Sequence, residues 1–172
     1  MIASLKKMDL RLLNFIDVNF KNPILDKVML FITSLGNLGA VWIFISLILA
    51  LNEKYRTASL LILSSLLLTT FTGELIIKHI IRRQRPFSDV PKLNMRVRKP
   101  MTYSFPSGHT ASSFASATIF WVIIKDYNVP VTILASLIAF SRLYLKVHYL
   151  TDVFIGILLG ISCSLIVLAI YM

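Results

Sequence analysis

TASLLILSSLLLTTFTGELII, residues 57–77, is an apolar run whose single charge is Glu74, and KHIIRRQRP, residues 78–86, comes directly after it. At 1.5 Å of rise per residue, about 20 apolar residues cross the ~30 Å hydrocarbon core of a bilayer. The abrupt change to cations reads as a helix leaving the membrane. Working outward, Pro106 to Ile124, Val129 to about Leu145, and Thr151 to Met172 repeat the pattern, with Lys125-Asp126-Tyr127-Asn128 as a tight turn. From Val28 to Leu51 no charge occurs over 24 residues, which is one long span or two short ones broken at Gly36-Asn37-Leu38-Gly39. Asn22-Pro23 restarts a helix by cap and first-turn proline.

The composition agrees with a polytopic membrane protein. Of the 172 residues, 56% are hydrophobic and 15% charged, against roughly 25% charged in an average soluble domain, and the mean hydropathy is +0.77. The length suits one membrane domain over 1–172, with the spans themselves expected to do the targeting. Residues 1–21 mix charged and apolar groups, with Leu5, Met8, Leu12 and Phe15 at helical spacing, and are expected to form an amphipathic helix on the membrane surface. Cys163 is the only cysteine, so an internal disulfide or a multi-cysteine metal site is excluded.

The net charge of +10 does not point to nucleic acid, because the basic residues gather beside the spans; a lipid phosphate is the expected anion. Eight of the 18 Lys and Arg fall between Lys78 and Lys99, within or beside a hydrophilic loop over 79–105. The chain leaves the membrane at Lys78, returns at His109 and emerges again near Lys146, which puts these landmarks on one face. If 28–51 holds two spans, eight cations (Lys6, Lys7, Arg11, Lys21, Lys27, Lys54, Arg56, Lys125) lie on the opposite face and ten on this one. Discounting those recruited to bind substrate places both termini in the cytoplasm and the site on the extracytoplasmic side of an inner (plasma) membrane.

Three short stretches carry the chemistry. His148 and Asp152 are one helical turn apart, so the carboxylate is placed to grip one imidazole nitrogen and leave the other with a lone pair for attack on phosphorus. The bland alternative is an interfacial histidine at a helix start. Pro106-Ser107-Gly108-His109 reads as a turn opening a helix, where Ser107 and Gly108 offer N–H groups to phosphate oxygens and His109 stands as general acid. Taken alone, it is equally a helix cap with Ser107 at the N-cap. Lys78 and Arg85 are two helical turns apart and share a face if the helix persists to Pro86; Arg142 adds a third cation. Several fixed cations with N–H donors suit the charge of a transferring phosphoryl group. No metal or other cofactor is required by this inventory.

Together, KHIIRRQRP (78–86), PSGH (106–109) and SRLYLKVHYLTD (141–152) resemble the three signatures of the type 2 phosphatidic acid phosphatase superfamily, over essentially the whole chain from Asn22 onward. The resemblance implies a bundle of six transmembrane helices, with 28–51 forming two short ones turned at Gly36 to Gly39 on the active-site face. It implies metal-free hydrolysis of lipid phosphate monoesters or diphosphates: phosphatidylglycerophosphate, phosphatidate, undecaprenyl diphosphate or lipid A. Carried over by position, His148 is the nucleophile, Asp152 its orienter and His109 the acid, with Lys78, Arg85, Ser107, Gly108 and Arg142 as the phosphate cradle. The partners are a lipid phosphate and the bilayer, the oligomeric state being left open by the sequence. The contrasting class is a non-catalytic protein that binds or moves lipid headgroups.

Several residues fall outside the motifs. Lys92, Arg96, Arg98 and Lys99 suit either a second phosphate or the membrane surface. Glu74 is spaced to pair with Lys78 four residues on. His79 reads as an interface residue. Gly156 and Gly160 form a small-x3-small pair suited to close helix packing within the bundle.

Overall fold

Asn22 and Pro23 start a helix as their chemistry dictates. The Asn22 side-chain oxygen accepts from the N–H groups of Ile24 at 3.0 Å and Leu25 at 2.8 Å, and Pro23 has no N–H to leave unpaired. The computed structural model describes residues 2–86 and 102–172, and among these it has helices and no strand. Helix α1 (Ile2–Phe20) precedes α2 (Pro23–Leu35) and α3 (Ala40–Ala50). Then come α4 (Arg56–Thr70), a π-helical segment (Phe71–Ile77) and α5 (Lys78–Ile81), and after these α6 (Gly108–Ile123), α7 (Asn128–Tyr144) and α8 (Leu150–Tyr171). Asp89 and the cations Lys92, Arg96, Arg98 and Lys99 lie outside the described residues.

Glu53–Ile81 and Leu150–Tyr171 are each long and apolar enough to cross a membrane, and α2 with α3 is so when taken as a pair. The two halves of that pair differ in direction by 49°. Such a bend redirects a chain without reversing it, and α2 and α3 meet the length and apolarity of a crossing together, not as the two separate short spans expected. The break comes from two successive left-handed residues, Leu38 (φ 53°) and Gly39 (φ 69°). Only the second is a glycine, for which that conformation carries no steric cost.

Helix α1 corrects a second expectation. Its buried stripe is Asp9, Leu13 and Ile16, whereas Leu5, Met8 and Phe15 point outward. The buried Asp9 carboxylate meets Arg83, just beyond α5, and the Thr151 N–H at the start of α8. Both partners belong to the face that carries the three motifs. Lys6, Lys7, Arg11, Lys21 and Lys27 therefore lie with that face, and the count that put both termini in the cytoplasm no longer holds.

Helix α6 lies at the centre, packed against α4, α7 and α8. Its sequence is rich in Ser and Ala, and Ala111, Ala115 and Ser116 are buried. The approach of α8 is close enough that a Cβ at Gly156 would lie 2.8 Å from the Ser107 carbonyl oxygen and one at Gly160 would lie 2.3 Å from that of Ala111. Small residues on both sides thus set the spacing, as expected for packing within a membrane bundle. Polar ties cross the same core: Trp42 donates to Ser113 Oγ at 3.0 Å, and Ser164 to the Ala115 carbonyl at 2.8 Å. Large apolar side chains such as Leu51, Leu67, Ile80 and Phe154 face outward, as a bilayer-facing surface requires.

Gly160→Ala is expected to lower stability by about 1–3 kcal/mol, because the obstructing atoms are backbone and cannot step aside. At Gly73 the nearest obstruction is the tip of a side chain, Leu159 Cδ2 at 3.1 Å. Thermal unfolding in detergent should therefore show a large drop for Gly160→Ala and a small one for Gly73→Ala.

Candidate active site

The three motifs converge at the start of α6. Ser107 is its N-cap in extended conformation, yet it places no side-chain hydrogen bond on the first-turn N–H groups; its hydroxyl pairs with Thr110 Oγ1 at 2.9 Å. The reading of this tetrapeptide as a mere side-chain cap therefore fails. A helix N-terminus that leaves this work undone is suited to an anion.

The π-helical segment Phe71–Ile77 brings Glu74 and Lys78 to that N-terminus. An extra residue in a turn shifts the register of the residues beyond it, a device common near functional sites. Lys78 is buried and donates to Glu74 Oε1 at 2.6 Å, as the spacing predicts, and also contacts Thr102 Oγ1 at 3.5 Å. The helix then stops at Ile81, with Arg82 left-handed as its cap, so the expected two-turn register of Lys78 with Arg85 does not exist. Arg85 arrives by a return of the chain. Its Nε donates to the Thr102 carbonyl (2.8 Å), Nη1 to that of Val147 (2.9 Å) and Nη2 to that of Tyr103 (3.1 Å). Burial pulls the pKa of Arg85 down to about 10, against the opposing pull of Asp152 and Glu74, and it remains cationic at neutral pH.

His148 is 2% exposed. Its Nδ1 lies 2.7 Å from the Ser104 carbonyl oxygen, and Nε2 lies 3.1 Å from Arg85 Nη1. A carbonyl only accepts, so Nδ1 carries the proton and Nε2 the lone pair. Burial is the main reason its pKa is pushed down to about 3; the nearby Asp152 carboxylate opposes this, and Arg142 and Arg85 add to it. The imidazole is neutral at neutral pH, with its Nε2 lone pair accepting from Arg85 Nη1.

Asp152 does not grip this ring as expected. Its nearer oxygen is 3.6 Å from Nδ1. Asp152 instead accepts from the Ser104 hydroxyl, from the Tyr149 N–H at 2.9 Å and from Arg83 Nη1 at 2.6 Å. It fixes the imidazole at one remove, through the segment whose Ser104 carbonyl holds the ring. Arg83 also donates to Asp9 at 2.7 Å and stacks over Tyr149 at 3.9 Å from the ring centre. Burial works against the Arg83 charge, but the Asp9 and Asp152 carboxylates outweigh it and raise its pKa.

His109 stands across the site, with Nε2 3.0 Å from Asn37 Oδ1 in the α2–α3 break. It packs so closely there that a Cβ at Gly36 would lie 2.7 Å from its Cδ2. Lys78, Arg85, Arg142 and His148 all lie within electrostatic reach of it. Arg142, 4% exposed, donates through Nη1 to Thr33 Oγ1, and its Nε has no hydrogen-bond partner among the described residues. His79 is exposed on the edge, with Nδ1 3.1 Å from the Glu74 carbonyl.

All eight site residues expected from the sequence thus gather in one place. The structure adds Ser104, Thr102, Arg83, Asp9 and Asn37. Arg83 is one of several cations in its run, and the others are ordinary polar residues outside the three motifs; no local signal separates them from their neighbours.

Residues 58–172 match the PAP2 superfamily. The chain is 31% identical over 137 residues to an undecaprenyl-diphosphatase of Sulfolobus acidocaldarius, covering 79% of this chain and 66% of the relative. It is 32% identical over 127 residues to a decaprenylphosphoryl-5-phosphoribose phosphatase of Mycobacterium tuberculosis, covering 73% and 69%. The chain spans about two thirds of the length of these relatives. Among solved structures, LpxE of Aquifex aeolicus superposes with a TM-score of 0.77 at 28% identity over 94% of this chain and 95% of that one. A PAP2 type phosphatidylglycerolphosphate phosphatase from Bacillus subtilis superposes with a TM-score of 0.80 over 97% of this chain and 86% of that one; at 24% identity it speaks for the fold.

This geometry has two measurable consequences. Because folded His148 resists protonation until about pH 3 while the unfolded residue accepts a proton near 6.5, stability should fall as the pH drops from about 6.5 toward 3. Melting curves at pH 7 and pH 5 should show a smaller loss for His148→Asn than for the unaltered protein. Asp9→Ala, which leaves part of the Arg83 charge unpaired, is expected to destabilise by about 3 kcal/mol or more, measured by the same melts.

Proposed function

The chain belongs to the PAP2 superfamily, and on that premise we propose that it is a membrane lipid phosphatase acting at the face where its three motifs meet. The observation that carries this is the buried His148, neutral, with its Nδ1 proton held by Ser104 and its Nε2 lone pair directed toward Arg85. Nε2 attacks the terminal phosphorus, its bond to the leaving oxygen breaks (the lipid alcohol oxygen of a monoester, the inner phosphate's oxygen of a diphosphate), and that oxygen takes a proton from His109. Water then attacks the phosphohistidine, giving up its proton to His109, and inorganic phosphate is released with His148 restored. Lys78, Arg85 and Arg142, with the N–H group of Gly108, hold the phosphoryl oxygens; the Ser107 N–H, expected from the sequence to share this work, donates instead to the Asp152 carbonyl oxygen at 3.0 Å. The orphaned Nε of the buried Arg142 suits such an oxygen. Asp152 is the orienter of His148 through Ser104.

The relatives are named for polyprenyl substrates, and a polyprenyl phosphate or diphosphate is the substrate class favoured here over other lipid phosphates. The membrane arrangement that fits is one domain over 1–172 with five crossings, α2–α3, α4–α5, α6, α7 and α8, and with α1 lying at the interface on the site's side. The outward stripe of Leu5, Met8 and Phe15 then meets the lipid while Asp9, Leu13 and Ile16 meet the protein. The site faces the extracytoplasmic side of a plasma membrane. On the motif face Arg83 is held in ion pairs, Lys21 and Lys146 are paired with Asp17, and Lys78, Arg85 and Arg142 belong to the site, but Lys6, Lys7, Arg11 and Lys27 lie there too, so the cation count by itself opposes this orientation and the labelling test below decides it. Lys54, Arg56 and Lys125 occupy short loops on the other face, where such charges count most for orientation.

Detergent-purified protein in EDTA, given undecaprenyl diphosphate, phosphatidate, phosphatidylglycerophosphate and lipid A in turn, should release phosphate fastest from the polyprenyl lipid. His148→Ala should cut the rate roughly 10⁴-fold or more. Headgroup binding without phosphate release by the unaltered protein would favour the non-catalytic class instead. For orientation, Lys125→Cys in a Cys163→Ser background should react with a membrane-impermeant maleimide only after the cells are permeabilised; labelling of intact cells would invert the assignment.

A further inference from the structure

Glu74 does more than hold Lys78. Its Oε1 lies so close to the first residue of α6 that a Cβ at Gly108 would be 2.4 Å from it, and the same oxygen accepts from Lys78 Nζ at 2.6 Å. A carboxylate oxygen therefore fills the space between Lys78 and the N-terminus of α6, which is where the phosphatase mechanism puts a phosphoryl oxygen. The Glu74 charge also acts on Arg85. The Lys78 side chain is 5% exposed and that of Glu74 34%, so the cation is fixed in the site while the carboxylate has an open side toward which to move.

We propose that Glu74 is a built-in competitor for phosphate: its carboxylate occupies the cradle at rest, is displaced outward when the substrate's phosphate binds, and returns as inorganic phosphate leaves. This rests on the phosphatase reading. Lys78, Arg85 and Arg142 without a counter-ion would hold the product phosphate, a dianion, as firmly as the substrate, and uniform binding of that kind does not speed turnover. A carboxylate that takes the same donors lowers the cost of keeping the cations buried in the empty site and weakens retention of product. The alternative role, in which Glu74 merely orients Lys78, predicts the opposite sign, because losing an orienter weakens phosphate binding.

Titration calorimetry of inorganic phosphate into the detergent-purified full chain reads that sign. Glu74→Gln keeps an oxygen for the Lys78 hydrogen bond and removes the charge; it should bind phosphate about tenfold more tightly than the unaltered protein, or ~1.4 kcal/mol. Glu74→Ala serves as the second variant should Glu74→Gln not fold, and the expected direction is the same. Affinity unchanged or weakened, in an unaltered protein that hydrolyses lipid phosphate and binds phosphate, overturns the role of Glu74 alone. An unaltered protein that neither hydrolyses any lipid phosphate nor binds inorganic phosphate overturns the phosphatase reading and this proposal together.

Discussion

Three cations buried side by side are the constraint on which the rest of the structure depends. Lys78, Arg85 and Arg142 are each 4–5% exposed, and removing a charge from water costs several kcal/mol unless it is paired or well hydrogen-bonded. Each meets that cost differently. Lys78 has the Glu74 carboxylate, Arg85 has a ring of backbone carbonyls from Thr102, Tyr103 and Val147, and Arg142 has Thr33 for one nitrogen. The stretch 102–104 ahead of α6 is therefore bound into the site: Thr102, Tyr103 and Ser104 commit their carbonyl oxygens to Arg85 and His148.

A second electrostatic chain runs behind the first. Asp9, Arg83 and Asp152 alternate in charge, and the two carboxylates are fully buried. Asp152 caps the Tyr149 N–H at the start of α8 and holds Ser104, while Asp9 holds Thr151 from α1. The N-terminal helix thereby becomes part of the support of His148, although it contributes no residue to the cradle. Behind both chains, the close approach of α8 to α6 at Gly156 and Gly160 leaves little room for the start of either helix to drift.

The broken helix α2–α3 has its place in the same scheme. Its left-handed residues at Leu38 and Gly39 set Asn37 against His109, and Gly36 leaves the space in which that imidazole fits. A side chain at Gly36 would stand where His109 does. The kink between α2 and α3 and the position of His109 are one feature.

Local sequence alone marks an all-helical membrane fold and the eight residues that the structure gathers at the start of α6. Apolar runs of membrane length are continuous in the chain, and the Asn22-Pro23 start, the Glu74–Lys78 pair and the Gly156–Gly160 pair are each set by residues within about one or two helical turns of one another. The eight site residues were legible because they stand in three compact motifs. Contacts between partners far apart in the chain come from tertiary packing: Asp152 reaches His148 through Ser104, Arg83 joins Asp9 to Asp152, Arg85 comes back by a turn after Ile81, and α1 lies on the motif face. Spacing along a helix cannot report a carboxylate whose donors Ser104 and Arg83 stand in a separate part of the chain. Nor can hydropathy distinguish a 49° bend from a reversal, because both keep the same apolar residues in the same order.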